Sequence, residues 1–366
     1  MKQYLATLKN IYENGIDHGD RTGVGRRSIF GVQDRYNIEG YRLPLVTTRQ
    51  AFTKFLIHET LWFISGSMDT TILKENGMHN WDKWALDQEA IDAFVQKYFP
   101  EDQDMQEMFR IHYKEQIGSI GPLYGHNWRN APNHPEGVHQ LWPKIPVNEI
   151  PSDKLESIKE HFEFQKEQLG EEQAKEFSFE DFASDCYYET YDQLNELIRN
   201  LKHRPHSSRH VVNAWIPAFV PFETLSPKEN IILGKSALTA CHTMFQVFVY
   251  PAKEEGGKKR LSLMMTIRSQ DYPVGGVYNI AQYSLLAMLL AHCNDMEPYE
   301  YIHSVGDCHI YADQMPFVPE QLSREPITGP TVWLNPDKKD LFQFKPEDIK
   351  IENYRYHPRI DYPIAA

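Results

Sequence analysis

Apolar positions recur at two different periods along this chain, and the switches between them lay out its elements. Residues 2–14 carry Tyr4, Leu5, Leu8, Ile11 and Tyr12 at helical spacing, which predicts an N-terminal helix. FTKFLIHETLWFIS (52–65) is apolar enough to predict a buried helix. YDQLNELIRNLK (Tyr191 to Lys202) predicts a further helix, and HVVNAW (His210 to Trp215) a strand. HTMFQVFVY and LSLMMTIRS flank the turn EEGGKK and predict a β-hairpin. NIAQYSLLAMLLAHC (Asn279 to Cys293) is apolar on nearly every side and must lie at the centre of the molecule. DRTGVGRRSIFG (Asp20 to Gly31) reads as a glycine-punctuated turn entering a strand, and GDCHIYAD as a strand with His309 and Tyr311 on one face. The pattern predicts an α+β fold, a sheet packed against the central buried helix.

Two stretches interrupt it. Residues 85–117 are acidic, helical in pattern and poor in glycine. Residues 131–185 open with prolines (NAPNHPEG, WPKIP) and become the charged run KLESIKEHFEFQKEQLGEEQAKEF, which predicts a solvated surface helix. Apolar segments resume after each, so both read as helical insertions into a single core domain spanning 1–366.

Composition narrows the function classes. Hydrophobic residues make up 41% and charged residues 24% of the chain, the balance of a globular protein. No stretch approaches the roughly 20 apolar residues of a membrane span, and MKQYLATLKN lacks a secretory core. A cytoplasmic protein with no membrane partner is expected, in the host cytoplasm if the chain is viral. A net charge of −13 argues against a general nucleic-acid face. It leaves room for a few arginines converging on a phosphate. Cys186, Cys241, Cys293 and Cys308 lack the paired short spacing of a zinc site, and no metal is expected.

Cys241 stands in ALTACHTMFQVF, just ahead of the hairpin. Arg21, Arg209 and Arg268 are candidates to lower its pKa and hold an anionic substrate beside it. Arg268-Ser269 in IRSQD pairs back toward Cys241 across the hairpin. DYPVGGVYN then combines Asp271, two glycines that permit close backbone approach, and Asn279. A buried cysteine at a strand start and an N-cap asparagine are the ordinary readings of Cys241 and Asn279, and local sequence leaves them open. The Asn279 amide also offers one donor and one acceptor, enough to read a lactam edge.

The ordered series DRTGVG, PLVTTR, IHETLWFISG, NWDKW, GPLYGHNWR, YDQL, SSRHVVNAW, ACH, IRSQD, GGVYNIAQYSLL, GDCHIY and YHPRIDYPIAA resembles the thymidylate synthase family from the first helix to the last residue. That resemblance implies a thymidylate synthase-like fold with a mixed sheet, and dUMP and 5,10-methylenetetrahydrofolate as substrate and co-substrate. It makes Cys241 the nucleophile at C6 of the uracil ring. Glu59 resembles the acid organising waters and protons there, Tyr124 the group implicated in removing the C5 proton, and Asn279 the residue bonding the uracil edge. His242 joins them at the reacting ring. Arg21, Arg268 and Ser269 match phosphate ligands, and His309 and Tyr311 hold the sugar hydroxyl. Arg209 matches an arginine that reaches the phosphate from the other subunit of a homodimer. Arg49, Trp81, Trp84, Leu238, Asp271, Gly275, Tyr278 and Ala366 fall on the folate side. The implied chemistry is thiolate addition, capture of the one-carbon unit at C5, loss of the C5 proton, then hydride transfer to give dTMP and dihydrofolate.

Several positions depart from the family pattern. Ser208 replaces one of two arginines ahead of the HVVNAW strand, with His203, Arg204 and His206 nearby as substitutes. Ile267 replaces a glutamine, Ala240 a proline, Val277-Tyr278 a Pro-Phe pair, and Arg49 a lysine. Such a divergent member is of a kind common in viruses. The changes at Ile267 and Gln270 keep a dUMP 5-hydroxymethylase in view, in which water traps the same methylene intermediate. Asn279, where cytosine-specific relatives tend to carry aspartate, favours uracil, and Trp81 would shield the methylene from water. A non-catalytic nucleotide-binding homologue and a papain-like hydrolase complete the alternatives. The surviving Cys241, Glu59, Asn279, His309 and Tyr311 weigh against the former, and the ordered motifs against the latter.

Overall fold

The computed structural model describes residues 1–19, 23–132, 145–167, 178–187 and 190–364. Six strands form the main sheet: β1 (Ile16–His18), β2 (Arg26–Asn37), β5 (Val211–Asn213), β6 (His242–Tyr250), β7 (Arg260–Asp271) and β8 (Glu297–Tyr311). Their spatial order is β1-β2-β8-β7-β6-β5. All neighbours run antiparallel except β7 and β8, which are parallel. A parallel pair needs a crossover, and the helix Val277–Cys293 supplies it.

That helix is buried almost throughout because its neighbours are apolar too. Leu261, Leu263, Met265 and Ile267 alternate inward along β7, as do Phe245, Val247 and Val249 along β6, and all share one core with Ile280, Leu285, Leu286 and Leu289. Each leucine so buried contributes about 1.5–3 kcal/mol. With the preceding turn the segment is long and apolar enough to cross a membrane, but its apolar surface is enclosed by this core.

The expected elements are present, with shifted edges. The N-terminal helix is Lys2–Asn14 and the apolar helix Thr53–Ser65. The helix expected from Tyr191 starts at Gln193, because Asp192 caps it by accepting from the Asn195 amide at 2.9 Å. The strand expected over 210–215 is only three residues long. Asn279 is no N-cap. The helix begins at Val277, straight out of a π-type turn Tyr272–Gly276 that Asp271 caps through the Val274 amide at 3.2 Å. Asn279 therefore projects from the first helical turn, where its amide meets Gln270 rather than capping the helix.

The first interrupting stretch forms the helices Gln88–Tyr98 and Gln103–Lys114, capped by Asp87 and Asp102. Within the second, short strands β3 (Ala131–Pro132) and β4 (Thr190–Tyr191) pair antiparallel at its base. Helices Ser152–Glu167 and Phe179–Tyr187 follow the first and precede the second of these. The charged run is not a wholly solvated helix, since Ile158 and Phe162 are buried, Ile158 in a small apolar cluster with Ile145, Ile150, Ala183 and Tyr187. The rest of that run, 168–177, and the proline-rich 133–144 lie outside the described residues. Buried charge fastens this stretch down. Arg129 Nε donates to Asp192 Oδ2 at 2.8 Å and Nη1 to Asp153 Oδ2 at 3.0 Å, while Lys154 donates to the Arg129 carbonyl at 2.6 Å. Asp192 is fully buried and is paired there by Arg129 Nε and, at 3.5 Å, by Lys154 Nζ.

Candidate active site

Cys241 stands one residue ahead of β6, beside a register shift between His242 and Met244. The hairpin brings Arg268 back against it, as its spacing predicted. The Arg268 amide donates to the Cys241 carbonyl at 2.9 Å. Its side chain donates from Nε to the Ala240 carbonyl at 2.8 Å and from Nη2 to that of Thr239 at 3.0 Å, leaving Nη2 3.5 Å from the Cys241 sulfur. Burial pushes the thiol pKa up, and the Arg268 guanidinium and Tyr124 hydroxyl oppose it. The Cys241 amide donates to the Tyr124 hydroxyl at 3.3 Å. Tyr124 holds this place from a backbone with φ of 42°, unusual for a bulky residue. His242 is buried with its ring 4.7 Å from that of Tyr124 and bonded to the Tyr283 hydroxyl at 2.9 Å. Burial drops its pKa to about 4, so it is a neutral imidazole.

Glu59 projects from the helix Thr53–Ser65 into the same interior. Trp81 Nε1 donates to it at 2.8 Å, Gln282 at 3.1 Å and Asn80 at 3.4 Å. Burial nonetheless outweighs these donors and pushes its carboxyl pKa up to about 7. A carboxyl poised near neutrality can both give and take a proton. Asn279 lies within bonding reach of His242, and Gln270 Nε2 donates to its Oδ1 at 2.9 Å.

Along β8, His309 and Tyr311 share a face as expected, their rings 4.9 Å apart. His309 is 2% exposed; its Nδ1 pairs with Asp307 Oδ1 at 3.4 Å, whereas its Nε2 has no hydrogen-bond partner. A buried polar atom without a partner is rare, and this one fits a site shaped for a ligand hydroxyl. Ser269 donates to Asp307 at 3.4 Å. Burial would raise the Asp307 pKa, but His309, Ser28 and Arg26 hold it down at about 2.

Trp81 and Trp84 meet edge to face at 5.7 Å, and Leu238 and Tyr278 are partly buried against the same core. Flat apolar walls beside a carboxyl suit a folate ring system, which pairs aromatic faces with an N–H edge. Burial pushes the Asp271 carboxyl up to about 6, and Gly275 lies in the π-type turn between it and Asn279. Arg49 is buried, its Nη2 donating to the Pro273 carbonyl at 2.6 Å and its guanidinium over the Tyr362 ring. Arg209 is exposed two residues ahead of β5, on the same loop as the exposed Arg204 and His206, and the exposed His203 ends the preceding helix Gln193–His203. Arg21 and Ala366 lie outside the described residues.

Sequence reasoning missed two residues. Gln314, fully buried, donates to Asp271 Oδ2 at 2.8 Å and to the Pro363 carbonyl at 2.9 Å, tying the C-terminal tail to the pocket. Gln282 holds Glu59 from the central helix. A glutamine within an apolar helix is the only signal that pointed to the second, and no motif marks the first. Among the described residues no group of three or more His, Cys, Asp or Glu could hold a metal ion.

The family whose model matches residues 2–366 is described as thymidylate synthase. The chain is similar to the thymidylate synthase of Francisella philomiragia subsp. philomiragia, at 33% identity over 366 residues and 100% of both chains. It is similar to that of Francisella tularensis subsp. holarctica at 34% over 367 residues, again 100% of both.

Proposed function

The chain belongs to the thymidylate synthase family, and on that premise we propose that it converts dUMP to dTMP through a covalent adduct at Cys241. The observation that carries this reading is one run of contacts around Tyr124: its hydroxyl meets the amide of Cys241, whose thiol lies beside Arg268, and its ring meets Trp81, which holds the near-neutral Glu59, and His242, which reaches the Asn279 amide. 5,10-Methylenetetrahydrofolate is the co-substrate and supplies the one-carbon unit and the hydride that reduces it. Trp81, Trp84, Leu238, Tyr278 and Asp271 are the residues that would hold it.

The protein's own groups then have distinct tasks. Cys241 sulfur forms a bond to C6, and the C5–C6 π electrons move onto O4 as an enolate. The Asn279 amide and the proton shared between Glu59 and solvent stabilise that oxygen, as oriented donors do for any developing oxyanion. The arginines neutralise the phosphate and keep C6 within reach of the sulfur. Tyr124 stays protonated, because burial pushes its pKa far up, so it passes a proton along rather than acting as a free phenolate. Once the C5 proton is lost, the folate nitrogen has left the one-carbon unit and hydride has reduced that unit to a methyl group, the electron pair at C5 expels the sulfur from C6 as thiolate and restores the ring double bond. Trp81 and Trp84 exclude water meanwhile.

A second reading, dUMP 5-hydroxymethylase, is favoured only by Ile267 and Gln270. The two separate in one assay of purified protein with dUMP and 5,10-methylenetetrahydrofolate. The synthase gives dihydrofolate, followed by absorbance, and a nucleotide heavier by a methylene unit. Tetrahydrofolate with a product heavier by a methylene and an oxygen would replace it by the hydroxymethylase.

The homodimer belongs to the same proposal. Val211 and Phe248 stand exposed on one face of β5 and β6, Phe30 is 87% exposed on β2, and Arg209 lies at that sheet edge. Exposed aromatic and aliphatic groups on a sheet suit an interface with a second copy. If Arg209 serves the partner's phosphate, Arg209→Ala and Cys241→Ser proteins, each inactive, should recover on mixing. One intact site per hybrid dimer gives about a quarter of parental activity. No recovery after subunit exchange would place Arg209 outside the partner's site.

A further inference from the structure

Behind Asn279 runs a chain of buried polar groups that the reaction itself does not use. The Tyr301 hydroxyl lies 2.7 Å from His303 Nδ1, His303 Nε2 lies 2.8 Å from Gln270 Oε1, and Gln270 Nε2 lies 2.9 Å from Asn279 Oδ1. Tyr301 and His303 are wholly buried and Gln270 nearly so, whereas Asn279 is half-buried at the pocket. Three links in low dielectric strengthen one another and leave little freedom to any member.

The direction of this chain follows from its far end. Burial keeps the Tyr301 phenol protonated, and among the described residues its one hydrogen-bond partner is His303. A buried hydroxyl with a single partner able to accept must donate to it, because an orphaned O–H would carry the full desolvation penalty. Burial likewise drops the His303 pKa to about 3, so the ring carries one N–H only. With Nδ1 accepting, that N–H sits on Nε2 and donates to Gln270 Oε1. Gln270 must then present its NH2 to Asn279, which fixes Asn279 with Oδ1 toward Gln270. Turning Asn279 over would set NH2 against NH2, and relieving that conflict would require reversing every link back to Tyr301.

Resting on the reading of Asn279 as the pyrimidine-edge residue, we infer that Tyr301, His303 and Gln270 form a positioning relay that holds the Asn279 amide in the uracil-reading sense and so rejects cytosine. Uracil offers N3–H as donor and O4 as acceptor, while cytosine reverses both with an acceptor N3 and a donor N4 amine. An amide free to rotate serves either ring, and an amide held by a polarised chain serves one. Gln270 thus sets specificity without touching the substrate.

The test is titration calorimetry of the full-length protein with dUMP and with dCMP, comparing the parent with Gln270→Leu, Tyr301→Phe and Asn279→Asp. Removing the Gln270 donor should lower the dUMP-over-dCMP preference about tenfold, mainly by improved dCMP binding. Tyr301→Phe keeps the shape of the core and removes only the terminal donor, so the preference should fall severalfold in the same direction. A merely structural role would weaken both nucleotides by one factor and leave the ratio unchanged, and that outcome overturns the relay. Should Gln270→Leu fail to fold, Tyr301→Phe decides alone. Asn279→Asp separates the two levels. A shifted preference there with unshifted relay variants removes the relay only, and an unshifted preference there removes the reading of Asn279 beneath it.

Discussion

Cys241→Ser should lose at least about 10⁴-fold in turnover, because a serine hydroxyl is too weak a nucleophile for C6 of a pyrimidine and has no base beside it. Affinity for dUMP should change by less than about threefold, an effect within ordinary side-chain perturbation. The structure explains the separation. Besides its long contact to the sulfur, Arg268 is fixed by the carbonyls of Thr239 and Ala240, and His309 and Asn279 are held by β8 and the central helix. Stopped turnover with intact binding, measured by dihydrofolate formation and calorimetry on one preparation, identifies the nucleophile. Near-parental turnover would remove Cys241 from that role.

Glu59→Gln should combine a loss with a gain. Activity should fall about 10²–10⁴-fold, the usual cost of losing a positioned acid or base. Stability should move the other way, and only at high pH. The carboxyl pKa is raised by burial from 4.5 to about 7, so the folded state favours the protonated form. That contribution is fully present below pH ~4.5 and is lost as pH rises through about 7. A glutamine cannot ionise, so the variant should gain on the parent by up to about 3 kcal/mol above pH 7 and nothing at pH 4.5. The cavity can accept it, since Gln282 Oε1 has no partner and a turn of that amide offers an acceptor. Thermal unfolding of both proteins at pH 5 and pH 8 checks the sign. A Tm difference that does not grow with pH would mean that Glu59 is not strained by its charge.

Much of this site was legible because catalytic groups sit in short runs with local meaning. Cys241 ahead of a hairpin and Arg268 at its return are brought together by β pairing alone, which alternation and turn residues announce. His309 and Tyr311 need only a strand's two-residue period. The misreadings arose where a distant partner decides. The ordinary cap reading of Asn279 rests on its place at the apparent helix start, but Asp271 caps a wider turn instead and moves that start back to Val277. The charged run reads as a solvated face, yet Ile158 packs with Ala183 and Tyr187, and Phe162 meets the rings of Phe179 and Phe182. Gln314 and Gln282 carry no local signal, since each acts across the fold on a carboxyl far away in sequence.

The pairing of Ala131–Pro132 with Thr190–Tyr191 returns the chain to within one strand spacing, about 5 Å, of where it departed. Such a junction is a socket. Lengthening what is plugged into it costs only about 0.6 kcal/mol for each doubling, and the register of the main sheet never feels the change. A replacement for the chain between these two short strands would have to supply again what Asp153 and Lys154 give to Arg129 and Asp192 just outside them.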